Sequence, residues 1–234
     1  MEVAILCGGQ GIRYRNTFVD RPKALAPIGD VPILWHLFKY FSAYGINDFI
    51  LCTGHRGNEI QKYVDTIDNP DWRIRCVDTG QETPTGGRIL KIKDYVEGEV
   101  FMATYVDGLS NVNLDELSKF HFTGKQIATL TAVRPKSQYG ILNMDDDGVI
   151  STFDEKPRMP YYINGGFFVF NKKIFDYLTP DDILEEDTFN KLISAKEFNA
   201  FRHEGFWKSM DTFKENMQLD EMWNTDKADW VIWK

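Results

Sequence analysis

The stretch Glu2-Val3-Ala4-Ile5-Leu6-Cys7-Gly8-Gly9-Gln10-Gly11 sets a short apolar run directly ahead of three closely spaced glycines. A run this short, apolar from Val3 to Cys7 and bounded by glycine, suits a strand buried on both faces of a parallel sheet. Working outward, Ile33 to Tyr44 has the spacing of an amphipathic helix and Asp48 to Thr53 is a second short apolar strand. Asn58 to Asp65 reads as helix, Ile74 to Asp78 as strand, Arg88 to Val96 as helix, and Val100 to Val106 as a further apolar run ending on Asp107. Strand alternating with helix predicts parallel βαβ units with right-handed crossovers, and hence an α/β, doubly wound fold with a mostly parallel central sheet. Ligands of such sheets sit beyond the carboxyl ends of the strands, where the Gly8 loop, Thr53-Gly54 and Asp107 would gather.

Past Asp107 the pattern turns β-rich, with Gln126 to Arg134, Val149 to Phe153 and Gly166 to Phe170 separated by short turns and expected to complete and extend the sheet. Asp187 to Ser194 and Thr212 to Asn224 read as helices. No repeat, low-complexity tract or Pro/Ser-rich linker divides the chain, so a single domain over 1–234 is expected.

The balance of 27 basic against 35 acidic residues gives a formal charge of -8, which opposes non-specific attachment to nucleic acid or to an anionic membrane. An anionic ligand must therefore be held locally. Cys7, Cys52 and Cys76 have no C-x-x-C spacing, and the expectation is three small, buried, reduced thiols. With no charged leader before Val3 and no uncharged apolar run approaching ~18 residues, a cytoplasmic protein with no membrane span is expected.

Two segments carry chemical signal. The turn Gly8-Gly9-Gln10-Gly11-Ile12-Arg13 lets backbone N–H groups converge on a phosphate where no Cβ obstructs them; a tight strand-to-helix turn with no ligand is the alternative. It is neither a dinucleotide fingerprint, which needs a small residue at Tyr14, nor a P-loop, which needs G-K-[ST]. Arg21-Pro22-Lys23 then places two cations in a stiffened loop. His36, His55, His121 and His203 show no metal-ligand spacing, no Ser or Cys sits on a nucleophile elbow, and these residues are read as structural or surface residues.

The order of these segments, followed by Val77-Asp78-Thr79-Gly80, Thr85-Gly86-Gly87-Arg88, Tyr105-Val106-Asp107-Gly108, Phe153-Asp154-Glu155-Lys156-Pro157, Ile163-Asn164-Gly165-Gly166 and Gly205 to Thr212, resembles the sugar-1-phosphate nucleotidyltransferases along nearly the whole chain. Within that family Asp78-Thr79-Gly80 ahead of Thr85-Gly86-Gly87-Arg88, and the end from Gly205 to Trp233, resemble the glucose-1-phosphate cytidylyltransferase branch. The sequence departs from the family pattern at Ile12, Tyr14 and Ala24, and from the branch at Val106 and in a much shorter stretch between Tyr63 and Val77.

The resemblance implies a Rossmann-like nucleotidyltransferase fold, with a nucleotide-binding half over 1–108 and a β-rich acceptor-binding half over 109–234. It implies transfer of CMP from CTP to a small phosphorylated acceptor, glucose 1-phosphate before others, with release of pyrophosphate. Arg13 and Lys23 would be catalytic, Gly8, Gly9, Gly11, Gly80, Thr85 and Gly86 would bind nucleotide, and Asp107 and Asp211 would hold Mg²⁺. Tyr139, Gly140, Glu155, Lys156, Asn164 and Gly165 would bind the acceptor. A hard divalent cation held by one or two carboxylates together with substrate phosphates fits that assignment. Trp207 stands beside the expected acceptor pocket, with a core role as its alternative. The partners implied are these small molecules, without nucleic acid, and a homo-oligomer is compatible. UTP or dTTP as donor, another sugar phosphate or a non-sugar phosphate as acceptor, and a catalytically silent nucleotide-binding regulator are the alternatives.

Overall fold

The computed structural model describes residues 1–9 and 21–233; Gly11 and Arg13 lie outside the described residues. The chain opens with β1 (Glu2–Leu6) and, after a short hairpin of β2 (Pro27–Ile28) and β3 (Val31–Pro32), enters α1 (Ile33–Ser42). Then come β4 (Asp48–Thr53), α2 (Gly57–Val64), β5 (Arg73–Asp78), α3 (Thr85–Lys91) and β6 (Val100–Tyr105). The second half holds β7 (Gly108–Ser110), α4 (Leu114–Thr123), β8 (Ala128–Val133), β9 (Ile141–Met144), β10 (Ile150–Asp154) and β11 (Ile163–Asn171). It ends with α5 (Phe189–Ser194), β12 (Phe198–His203), β13 (Trp207–Ser209) and α6 (Phe213–Asn224).

Seven strands form one sheet in the order β12-β8-β11-β6-β1-β4-β5. Only β11 runs against its neighbours, since its pairings with β6 and β8 are antiparallel and every other pairing in the sheet is parallel. From β1 the chain moves outward to β4 and β5, then returns to lay β6 on the other side of β1. That reversal makes the β1/β6 boundary the switch point where a ligand crevice opens beyond the carboxyl ends.

The apolar runs are explained by burial on both faces. Val3 and Ile5 point into the core beneath α1, with Phe49, Leu51, Met102 and Val169, while Ala4 and Leu6 point into the opposite core with Ile50, Cys52, Phe101, Phe168 and Phe170. A strand pointing alternate side chains into two cores has no polar face to show in its sequence. Helix α1 buries Ile33, Leu34, Leu37, Phe38 and Phe41 on the first of these cores. Its His36 is tied at Nε2 to the Ile28 carbonyl (3.0 Å), and its Nδ1 accepts from the Trp230 indole (3.3 Å), which pins the chain end across the helix.

Four expectations are corrected. The helix expected over Arg88 to Val96 begins earlier, at Thr85, and gives way to a tighter 3₁₀ turn over Lys93–Tyr95. The helix expected from Asp187 is preceded by a π turn over Leu184–Thr188 and begins at Phe189. The strand expected over Val149 to Phe153 does not extend the sheet: β10 pairs with β9 as a separate hairpin, exposed along its length. Cys76 is only half-buried, unlike Cys7 and Cys52. All three thiols are free, and burial pushes them above the usual thiol range, Cys52 to about 12 and Cys76 to about 11. No helix among the described residues is long and apolar enough to cross a membrane.

Candidate active site

Asp107 follows β6 by two residues, on the carboxyl side of the switch point. The Val106 amide bonds to the Leu6 carbonyl (3.3 Å), so the end of β6 stays in register with the end of β1 and the start of the glycine loop. The Val106 side chain turns into the core rather than crowding Asp107.

Asp211 is more than a hundred residues away, and a short ladder brings it in. Strands β7 and β13 pair antiparallel with Gly108 opposite Ser209, and the Met210 amide donates to the Asp107 carbonyl (2.8 Å). Immediately afterwards Thr212 caps α6 in a reciprocal box with Glu215. The same Glu215 carboxylate also accepts from the Asp211 amide (2.8 Å), so the cap fixes the backbone of the acid as well as the helix.

Lys23 comes from the 3₁₀ turn Lys23–Leu25, held by buried Ala24 and by the Leu25 amide on the Pro22 carbonyl (2.9 Å). Its ammonium donates to both acids, to Asp107 Oδ2 at 2.7 Å and to Asp211 Oδ1 at 2.9 Å. Burial pulls the Lys23 pKa down, but Asp107 and then Asp211 outweigh it, and the pKa stands above the usual lysine value. One cation can therefore touch both carboxylates at once. Two partly exposed, oxygen-only donors at that spacing suit a hard divalent ion.

On the other flank of β1, Arg88 is almost fully buried. Its guanidinium donates to the carbonyls of Thr53 (3.1 Å), Gly80 (2.8 Å), Gly8 (3.0 Å) and Gln81 (3.1 Å) and to the Thr79 hydroxyl (2.7 Å). It clamps the loops after β1, β4 and β5. A Cβ at Gly8 would collide with this guanidinium, which requires glycine there, whereas a Cβ at Gly9 would meet nothing. The Gly86 amide is engaged by the Asp182 carbonyl (3.0 Å).

The expected acceptor residues fall into two groups. Asn164 and Gly165 start β11 beside the end of β6: Asn164 Nδ2 donates to the Tyr105 hydroxyl (3.1 Å), and Trp207 donates from its indole to the Gly165 carbonyl (2.7 Å). Gly166 has φ +79, and its missing Cβ leaves room for the Tyr105 ring. Tyr139, Gly140, Glu155 and Lys156 instead sit at the base of the β9–β10 hairpin, where Gly140 lies against Phe153 and Glu155. Among the described residues the ion pair of Lys156 is with Glu155 (3.2 Å), its neighbour in the same hairpin base.

Three residues belong with the site although sequence reasoning gave them no role: Arg88, Tyr105 and Glu185. Glu185, from the π turn, accepts from the Thr85 hydroxyl (2.7 Å) and from the Tyr105 hydroxyl. Burial first and the Glu185 charge second push the Tyr105 pKa up, so the phenol stays a donor. Arg88 had a faint signal, a cation set directly between two glycines and the apolar pair Ile89-Leu90; Glu185, in the run Glu185-Glu186-Asp187, had none.

Among the described residues Glu2, Asp48 and Glu97, at the amino ends of the strands, bring one carboxylate oxygen each within 4.8 Å of one another. Arg73 and Arg75 pair with Asp48 of this group at 3.2 and 2.7 Å, and Arg73 also pairs with Glu97 at 2.5 Å. It is an ion-pair network on the side of the sheet away from the crevice.

A mostly parallel, doubly wound sheet with a glycine loop, a lysine and two convergent acids at its switch point defines an α/β protein of the kind that binds nucleotides. The chain belongs to the nucleotidyl transferase family, whose model matches residues 2–219. It is 40% identical over 255 residues to the Bacillus subtilis (strain 168) protein named "Probable glucose-1-phosphate cytidylyltransferase", with both chains covered in full. It is 34% identical over 258 residues, again with both covered in full, to glucose-1-phosphate cytidylyltransferase of Salmonella typhi. HddC from Yersinia pseudotuberculosis shares the fold, with TM-score 0.74 and 22% identity over 95% of this chain and 99% of that one.

Proposed function

We propose that the protein transfers CMP from CTP to glucose 1-phosphate and releases pyrophosphate. The observation that carries the chemistry is Lys23 set between Asp107 and Asp211 at the sheet's switch point, 2.7 and 2.9 Å from the two carboxylates. The choice of CTP and glucose 1-phosphate is supported by the names of the two full-length relatives.

In this reading a phosphate oxygen of the acceptor attacks the α-phosphorus of CTP in line. The new P–O bond forms as the bond from the α-phosphorus to the bridging oxygen breaks, and that electron pair leaves with pyrophosphate. The acceptor phosphate is already nucleophilic, so the site needs no general base. Backbone amides of Gly8, Gly9 and Gly11 cradle phosphates, and Arg13 and Lys23 flank the reacting phosphorus. The Lys23 ammonium offsets negative charge building on the reacting phosphate. Asp107 and Asp211 would hold Mg²⁺, which when bound would neutralise charge on the transferring phosphate. The base lies along Gly80 to Gly86, with Thr85 at the start of α3. Asn164 and Gly165 meet the sugar at the end of β6, while Glu155 takes its hydroxyls, Lys156 binds its phosphate and Tyr139-Gly140 line the acceptor side from the base of the β9–β10 hairpin. Positioning and electrostatics supply the acceleration.

A pyrophosphate-release screen of CTP, UTP, dTTP, GTP and ATP against glucose 1-phosphate, other sugar phosphates and non-sugar phosphates tests this reading. CTP with glucose 1-phosphate should give the highest kcat/KM. A higher value for another pair would reassign the substrate, and nucleotide binding without release across the panel would favour a regulator.

A further inference from the structure

A polar chain runs unbroken from Thr85 at the start of α3 to Asn164 at the start of β11. At one end the Leu184 amide donates to the Thr85 hydroxyl (2.9 Å), which donates to Glu185 Oε2 (2.7 Å). At the other the Gly166 amide donates to Asn164 Oδ1 (2.9 Å), whose Nδ2 donates to the Tyr105 hydroxyl (3.1 Å), which donates to Glu185 Oε1. Every donor points toward Glu185, and both ends are backbone N–H groups, which cannot reverse. An ionised carboxylate accepts only, so the centre of the chain fixes the direction of every bond in it.

The consequence falls on Asn164. With its oxygen held by the Gly166 amide and one Nδ2 hydrogen by the Tyr105 hydroxyl, the amide is held against flipping, and its second Nδ2 hydrogen remains to donate to a ligand. The ring that carries this hydroxyl is fixed by its edge-on contact with Phe168 (centroids 5.5 Å apart) and by the absence of a side chain at Gly166. Glu185 itself lies in a π turn, a helix irregularity found disproportionately at functional sites.

We infer that Glu185, acting through Tyr105, is a positioning residue that locks Asn164 as a hydrogen-bond donor to a sugar hydroxyl and joins the acceptor side of the site to Thr85 on the nucleotide side. This rests on the reading that Asn164 faces the acceptor. Tyr105→Phe removes the hydroxyl and keeps the ring; Glu185→Gln keeps the shape and spoils the direction of one arm. Both should raise the KM for glucose 1-phosphate about tenfold while the CTP KM stays within about twofold and the melting temperature within a few degrees. Glu185→Asp, which still accepts on two oxygens, should recover part of the loss.

Steady-state kinetics with each substrate varied in turn, on wild type and the three variants, decide it. If wild type turns over CTP and glucose 1-phosphate but Tyr105→Phe and Glu185→Gln leave the acceptor KM unchanged, the inference is overturned alone. It is equally overturned if both KM values rise together with a drop in melting temperature, because that is loss of structure rather than of orientation. Wild type inactive on this pair would instead sink the reading of the site, and the inference with it.

Discussion

Replacing Lys23 by alanine removes the ammonium that touches both Asp107 and Asp211. If that charge serves the transition state, kcat should fall by about a hundred- to a thousandfold, with a smaller rise in the CTP KM. Lys23→Arg should not restore full activity, because a planar fork is not a compact ammonium. Steady-state kinetics on the two variants check this, and near wild-type turnover in Lys23→Ala would remove Lys23 from the catalytic set. Arg88 has a different job. Its loss would strand the carbonyls of Gly8, Thr53, Gly80 and Gln81. Arg88→Ala should therefore cost on the order of 3 kcal/mol in urea unfolding, and Arg88→Lys should recover only part. At this scale the sequence was readable where a residue type is rare for its context, as with Lys23 beside a proline or Asp107 ending an apolar run. Glu185 was not readable, because nothing local separates the acid that bridges Thr85 and Tyr105 from Glu186 and Asp187 beside it.

Among the elements, α1 and the chain end that crosses it make a pH-dependent joint. Burial holds His36 neutral and lowers its pKa to about 4 from the ordinary 6.5. The folded value is the depressed one, so the contribution to stability is complete above about 6.5, where both states are neutral. As pH falls below that, the unfolded chain takes up its proton first and stability is lost until about pH 4. The total is on the order of 3 kcal/mol. His121 and His203 are also lowered by burial and add to the slope, so His36→Gln should flatten it without abolishing it. Urea midpoints for wild type and His36→Gln at pH 7.5 and 5 measure the difference, and equal slopes would contradict the account. Strand and helix positions in the first half were legible because β1, β4 and β6 bury both faces and so carry unbroken apolar runs between turn residues. The β9–β10 hairpin misled for the opposite reason. Val149, Ile150 and Phe153 have the apolar character of a sheet strand, yet they are 63, 57 and 61% exposed, so their pattern records something other than burial in the central sheet.

For the molecule as a whole, the long-range feature is the convergence of Asp107, at the end of the first half, with Asp211, deep in the second, through β7, β13 and the Thr212 cap. Nothing in the spacing of Asp107 and Asp211 reveals that meeting; it was accessible only through the resemblance to a family. If the two share one metal, their losses should not add. Asp107→Asn and Asp211→Asn should each lower activity by several orders of magnitude, with the double variant little worse than either. In thermal melts, Mg²⁺ together with a CTP analogue blocked at the α,β bridge should stabilise wild type and stabilise either variant much less. Multiplying losses, or an equal gain in stability by the variants, would mean separate roles for the two acids.

The central claim, attack by an acceptor phosphate oxygen on the α-phosphorus of CTP, is tested most directly by following that oxygen. Glucose 1-phosphate labelled with ¹⁸O in its non-bridging phosphate oxygens is incubated with CTP, Mg²⁺ and the enzyme, and both products are read by mass spectrometry. The account predicts CDP-glucose carrying all of the label and pyrophosphate carrying none. Label in the inorganic product, or no CDP-glucose at all, would contradict it.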